Sequence, residues 1–372
     1  MIGKFGCLIA CLLGCALCVT AQDVEFNGQL SGWLLWDEGA ENSQLGARYM
    51  PEVSITTHVS EKWSIDAMLS ADGYAYYPFD QDVLEEELEA DLYRAWLRLS
   101  NPQMELRLGL QKINFGPAVL LRSIMWFDAI NPQDPLQLTD GVKGLLFRYY
   151  FLNNANLWLW ALYPNDEPKG WETVPSNRHT PEWGGRLQFP AGSGEMALTV
   201  HLRELADSPI PDLQPGDCRE ERIALDGKWD IEIGAWLELA LVHQDSDLPG
   251  NYQGFATLGL DYTINTGNGL HLLAEHLVYQ YGDRPLQGER LSLTALSADY
   301  PLDLLHSLQI SFYYDWENQE TYRFVQFQRI QDSVGFYVIG FWNPEDYRML
   351  PYQDTGGAYA GLGLQFMVVW NH

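Results

Sequence analysis

The feature that most constrains this chain is a two-residue rhythm repeated from residue 24 to Trp370. Residues 24–36 read VEFNGQLSGWLLW, with Phe26, Leu30, Leu34 and Trp36 on one face and Glu25, Asn27, Gln29 and Ser31 on the other. Residues 358–370 read AYAGLGLQFMVVW, with Leu362, Leu364, Phe366, Val368 and Trp370 on one face. Successive side chains of a strand point to opposite sides, so each such segment has one apolar and one polar face. An antiparallel β-barrel that crosses a membrane needs lipid outside, water inside and short turns at one rim. The chain meets all three requirements, and the predicted fold is an all-β, transmembrane, up-and-down barrel.

Eighteen strands are predicted, at 24–36, 47–59, 63–73, 90–99, 104–115, 142–151, 156–163, 183–189, 195–203, 221–228, 230–243, 253–264, 269–280, 290–300, 306–316, 321–329, 334–342 and 358–370. The stretches 142–163, 290–300 and 321–342 alternate poorly, and sixteen strands is the alternative count. Connections after odd-numbered strands are the longer ones, for example 74–89, 116–141, 164–182, 204–220 and 343–357. Those after even-numbered strands are tight and rich in turn formers, as in 60–62, 100–103, 152–155, 190–194, 265–268 and 330–333. A soluble sandwich has no reason to sort loop lengths by parity. The sorting places both termini on the short-turn side, and an even strand number closes the sheet without an edge.

Composition supports this reading. The first 21 residues carry Lys4, an apolar run from Phe5 to about Leu17, and Val19 and Ala21 at the small-residue places of a signal-peptidase site, so cleavage is expected after Ala21. A lipobox-like LLGC ending at Cys15 is the competing reading, with Leu13 a poor fit. One barrel domain then fills 22–372. Cys7, Cys11, Cys15 and Cys18 leave with the signal, so Cys218 alone remains and no internal disulfide or cysteine metal cluster is available. No later stretch of 18 apolar residues could form a spanning helix. The 14 Trp and 20 Tyr suit the two aromatic girdles of a membrane barrel.

The formal charge is −28, and −29 after the signal and its one lysine are removed, which excludes nucleic-acid binding through a basic face. Acids cluster at 80–91 and at Asp207, Asp212, Asp217, Glu220 and Glu221, all in predicted loops. They read as solvated surface, or as contacts to divalent cations at a lipopolysaccharide layer.

Basic residues are few and concentrated. Strand 4 puts Arg94, Trp96 and Arg98 on its polar face, with Tyr93, Ala95, Leu97 and Leu99 outward. Strand 5 puts Glu105, Arg107 and Gln111 on its polar face, and Lys112, Arg122 and Arg148 follow. An arginine turned into hydrocarbon costs about 2–4 kcal/mol at the midplane, so these side chains are expected to line the lumen. The connection 116–141 is long and apolar, with Leu120, Leu121, Ile124, Trp126 and Phe127. Folded inward, it would bury these residues and bring Asp128, Asp134 and Asp140 toward the arginines. Opposed charges across a constriction order polar solutes and filter ions.

The stretch RLGLQKINFGP from Arg107, followed by NPQDP from Asn131, resembles a pattern of outer-membrane porin-like families, including alginate-export and related channels. The resemblance covers about forty residues closely. It implies that Arg107, Gln111, Asn131 and Asp134 lie at or near a channel, although Gly116, Pro117, Asn131 and Pro132 also serve simply to shape a loop. The closing strand resembles the insertion signal that barrel assembly machinery reads. It departs from that pattern in carrying Asn371 and His372 after Trp370.

Glu232, Trp236 and Glu238 on strand 11, His271 and Glu275 on strand 13, and His201 and Arg203 on strand 9 read as ordinary lumen polarity before any metal or catalytic role. No nucleophile elbow, zinc-protease helix motif or phosphate loop is present. The expectation is a passive channel for small polar or anionic solutes in a Gram-negative outer membrane, with neither cofactor nor metal. A barrel hydrolase and a secreted surface β-protein are the alternatives. Homo-oligomers are common among such channels, but nothing in the sequence marks a subunit interface.

Overall fold

A computed structural model describes residues 23–39, 43–79, 87–206, 218–245, 250–347 and 358–372. The expected signal segment, and the acids at 80–86, 207, 212 and 217, lie outside these residues. The first nine strands are β1 Asp23–Asp37, β2 Gln44–His58, β3 Ser64–Pro78, β4 Glu87–Asn101, β5 Met104–Gln111, β6 Val142–Tyr150, β7 Asn156–Leu162, β8 Glu182–Ala191 and β9 Gly194–Glu204. The second nine are β10 Arg219–Ile231, β11 Ile233–Asp245, β12 Tyr252–Ile264, β13 Leu270–Arg284, β14 Gln287–Pro301, β15 His306–Asp315, β16 Glu320–Gln331, β17 Val334–Trp342 and β18 Leu362–Asn371.

Every strand pairs antiparallel with its chain neighbours, and β1 pairs with β18 from Gln29↔Asn371 to Asp37↔Gly363. The eighteen strands therefore form one closed barrel with no edge. The weakly alternating stretches are strands in their own right, so eighteen is the count. The alternation sets the two faces. On β12 the exposed Leu258, Leu260 and Tyr262 stand outward, while Thr257, at 0% exposure, and Asp261 stand inward. Outward positions elsewhere carry Phe26, Leu34, Trp36, Leu108, Phe336, Phe366 and Trp370, an apolar exterior with aromatic residues.

Several boundaries differ from expectation. β5 ends at Gln111 rather than 115, because Ile113 and Phe115 are apolar on the inward parity and leave the ladder to pack inside. The connection after β13 is as tight as the even ones, at 285–286, because the flanking strands run further than predicted, and the one after β15, at 316–319, has the four residues the predicted spans left. Glu232 sits in the β10–β11 turn at φ 65° rather than on a strand. Glu220 and Glu221 belong to β10, not to a loop, and Glu220 is buried among arginines. Tyr93 is not outward. The β3–β4 register jumps from Ser70↔Arg94 to Ala71↔Leu92, leaving Tyr93 as the extra residue of a bulge. Its ring turns to the Arg94 guanidinium, 3.8 Å away.

The inward face is not uniformly polar. Tyr313, Tyr322, Phe324, Ile339 and Phe341 of β15–β17 pack with Leu120, Leu121 and Met125. Trp160, Leu162, Ala240, Val242 and Phe255 pack with Ile113, Phe115, Ile124, Trp126 and Phe127. These two clusters hold the 112–141 connection between them.

Candidate functional site

Segment 112–141 is fastened to inward side chains of β11–β13. Glu238 accepts the backbone N–H of Ala118 at 2.9 Å and of Ile124 at 3.1 Å. Glu275 accepts those of Val119, Leu120 and Leu121 at 2.7, 2.8 and 2.5 Å. The Trp236 indole N–H also donates to Glu275, at 2.9 Å. Between them Thr257 donates to the Leu121 carbonyl and meets the Ser123 hydroxyl, each at 2.7 Å. Gly116 makes this approach feasible. Its φ is +96°, and a Cβ there would stand 2.3 Å from a Glu238 carboxylate oxygen.

The segment is braced from the other side by the 163–181 connection. The Trp171 indole donates to the Arg122 carbonyl at 2.9 Å, and its backbone N–H to the Met125 carbonyl at 3.3 Å. Beneath lies a buried network in which Lys169, Arg203 and Arg222 face Glu172, Glu182 and Glu220 at 2.6–3.2 Å. Charges this buried are tolerated only when matched and hydrogen-bonded. His201 completes the network. Trp160 can only donate, so its 3.1 Å bond to Nδ1 leaves the proton on Nε2, which donates to Glu182 at 3.0 Å.

The residues singled out from the sequence divide into two groups. Arg98, Arg107 and Arg148 share a wall near the short-turn ends of β4–β6. Arg98 pairs with Asp66 at 3.1 Å, and Arg107 and Arg148 reach Glu105 at 2.8 and 3.7 Å. Three cations thus meet two carboxylates. Trp96 lies 4.7 Å under Arg107 and Trp158 lies 3.9 Å under Arg148, holding both guanidinium planes against the wall.

The second group holds the segment's shape. Arg122 and Asp128 are buried and bonded to each other, and Arg122 also donates to the Phe115 carbonyl at 3.1 Å. Asn131 caps the turn at Gln133, and Asp134 accepts the amides of Leu136 and Leu138. Burial holds the Asp134 carboxyl above its ordinary range, against the lowering by those two amides. Gln111 donates to the Gly144 carbonyl at 3.1 Å. Arg94 donates to the Thr139 carbonyl at 2.7 Å, fixing the segment's exit on β4. Lys112 is half-buried and Asp140 is exposed.

Other inward groups escaped the sequence reading. Arg48 pairs with Asp72 at 3.2 Å, and Arg186 grips Asp226 through two bonds at 2.5 and 2.8 Å. Across the barrel from the arginines, Asp261 and Asp299 flank His271 at 3.3 and 3.8 Å. A cavity of about 510 Å³ runs along the β1–β4 side, lined by Gln29, Met50, Glu52, Ser70 and Tyr93. Among the described residues no group of three or more metal-ligating side chains is arranged to hold a metal ion.

No family model matches the chain, and no curated protein matches it. Solved structures do. Acinetobacter baumannii OccAB4 superposes over 95% of this chain and 99% of its own, with a TM-score of 0.58 at 11% identity. Pseudomonas aeruginosa OccD3 (OpdP) does so over 95% and 92%, at 0.58 and 9%. The anion-selective porin from Comamonas acidovorans does so over 94% and 99%, at 0.50 and 12%. These structures carry the barrel part of the sequence resemblance and not its alginate-export part. At such identities the likeness is one of fold: the chain is a closed antiparallel β-barrel built like these proteins.

Proposed function

We propose that the chain is an outer-membrane porin, a passive channel for small polar or anionic solutes whose lumen is narrowed by segment 112–141. The observation that carries this is the pairing of an apolar exterior with a water-accessible wall of Arg98, Arg107 and Arg148, which holds one cation more than its carboxylates. An apolar exterior of this extent does not suit a secreted soluble β-protein. The wall favours anions, and the Trp96 and Trp158 faces suit solutes with a flat body. The anion-selective name of the Comamonas structure agrees with this sign. Passage needs no energy source, since separation by size and charge follows from the wall alone.

The test is the reversal potential in a planar bilayer under a salt gradient. Replacing Arg98, Arg107 and Arg148 together by Gln is expected to move it toward cation preference. An unchanged reversal potential would remove these arginines from the selective part of the path.

A further inference from the structure

Glu238 and Glu275 are buried carboxylates facing no cation within ion-pair distance among the described residues; every bond they receive from segment 112–141 comes from a neutral backbone amide. Three consecutive N–H groups, at 119–121, converge on Glu275 as they would on a bound anion. Hydrogen bonds to an ionised acceptor are about twice as strong as neutral ones. We infer that Glu238 and Glu275 are positioning residues whose carboxylates, together with the Thr257 bonds and the apolar packing around the segment, latch residues 118–124 across the lumen, and that this latch sets the aperture. The inference rests on the channel reading above and adds what fixes the width of the path.

At Glu275 the chemistry is specific to the ionised form. Glu275 Oε1 receives Val119 N–H and the Trp236 indole, while Oε2 receives Leu120 and Leu121. In glutamine one of these oxygens becomes an NH₂ donor, and in either flip it confronts two other donors. The wall does not depend on the latch. Glu238 pairs with Thr257 and Glu275 with Gly259 through backbone ladders that run the length of β11–β13. The segment can therefore be released while the barrel stays closed. Ser123 and Thr257 also give a way to refasten it, because their side-chain oxygens lie 2.7 Å apart, where a cysteine pair can form a disulfide.

The experiment compares single-channel conductance of the wild type, Glu275→Gln and Glu238→Gln/Glu275→Gln. The two Gln forms are also made with Ser123→Cys/Thr257→Cys in a Cys218→Ala background, each measured oxidised and reduced. Heat-dependent gel migration reports whether each barrel is folded. The expected result is folded barrels whose conductance rises about twofold or more, with added open-channel noise, in the Gln variants. Oxidation of the cysteine pair should return conductance to the wild-type level, and reduction should raise it again. Folded Gln variants with wild-type conductance and noise would overturn the latch, as would a cross-link that fails to reverse the increase. If the double variant does not fold, the cross-linked Glu275→Gln single variant makes the same comparison. Folded wild type without channel steps would instead overturn the porin reading, and the latch with it.

Discussion

At the residue scale, two kinds of position carry the account: those whose side chain touches the segment and those that have none. Gly116 belongs to the second kind. A Cβ there would meet both Glu238 and Ile124, the latter at 2.7 Å, at a φ that side chains rarely adopt. Gly116→Ala is expected to cost on the order of 1–3 kcal/mol in urea unfolding of the refolded barrel. An unchanged midpoint would show that Glu238 moves aside freely. The sequence marks Gly116 and Pro117 as a loop start but says nothing of the carboxylate opposite, because that contact spans more than a hundred residues. Tyr93 shows another limit. Strict alternation places it outward, and only the bulge at Ser70/Ala71 turns it in. His372 shows a third. Even-numbered positions of β18 face outward, so His372 continues the row of Phe366, Val368 and Trp370. Its ring lies over Gly28, 5.6 Å from Phe26 and 5.9 Å from Tyr49, whose hydroxyl stands 3.2 Å from Nε2. His372 thus packs with the outward aromatic rings of Phe26, Tyr49 and Trp370.

At the element scale, the 163–181 connection was legible only as a long loop, whereas its position is set by a buried charge network that spacing along the chain does not reveal. Lys169 faces both Glu172 and Glu182 with little exposure. Lys169→Met leaves two buried carboxylates short of a cation, a change of the kind that costs about 3–5 kcal/mol. Arg178→Met removes only an exposed pair with Asp166, a kind worth about 0–1 kcal/mol. The temperature at which the folded gel band converts to the unfolded one should fall clearly for the first and hardly for the second. Equal shifts would mean that the network does not brace the barrel. Strand positions themselves were readable throughout, since one apolar face per segment is a local property. Some strand ends were not, because turn chemistry at 285–286 and the inward pull on Ile113 and Phe115 act beyond the alternating window.

At the scale of the whole molecule, closure decides which walls face each other. The strands β4–β6 and β12–β14 lie half a circuit apart in an eighteen-stranded barrel, and both charged groups sit near the short-turn ends of their strands. Arg98, Arg107 and Arg148 therefore oppose Asp261 and Asp299, with His271 between the acids. The arginines were visible in the sequence as a cluster on three neighbouring strands. Their acidic counterparts were sought in the connection 116–141, but Asp128 and Asp134 are occupied within it and Asp140 is exposed. Asp261→Asn/Asp299→Asn is expected to shift the reversal potential toward anions, opposite in sign to the arginine variants. A shift of the same sign would rule out a field between the two walls.

The central claim is that this barrel is an open, size-limited passage, and solute-driven swelling of liposomes holding the purified, folded protein tests it most directly. Swelling rates for neutral sugars and polyols of increasing size should exceed those of protein-free liposomes for the smallest solutes and fall steeply with size. Rates equal to protein-free liposomes for every solute would contradict the claim.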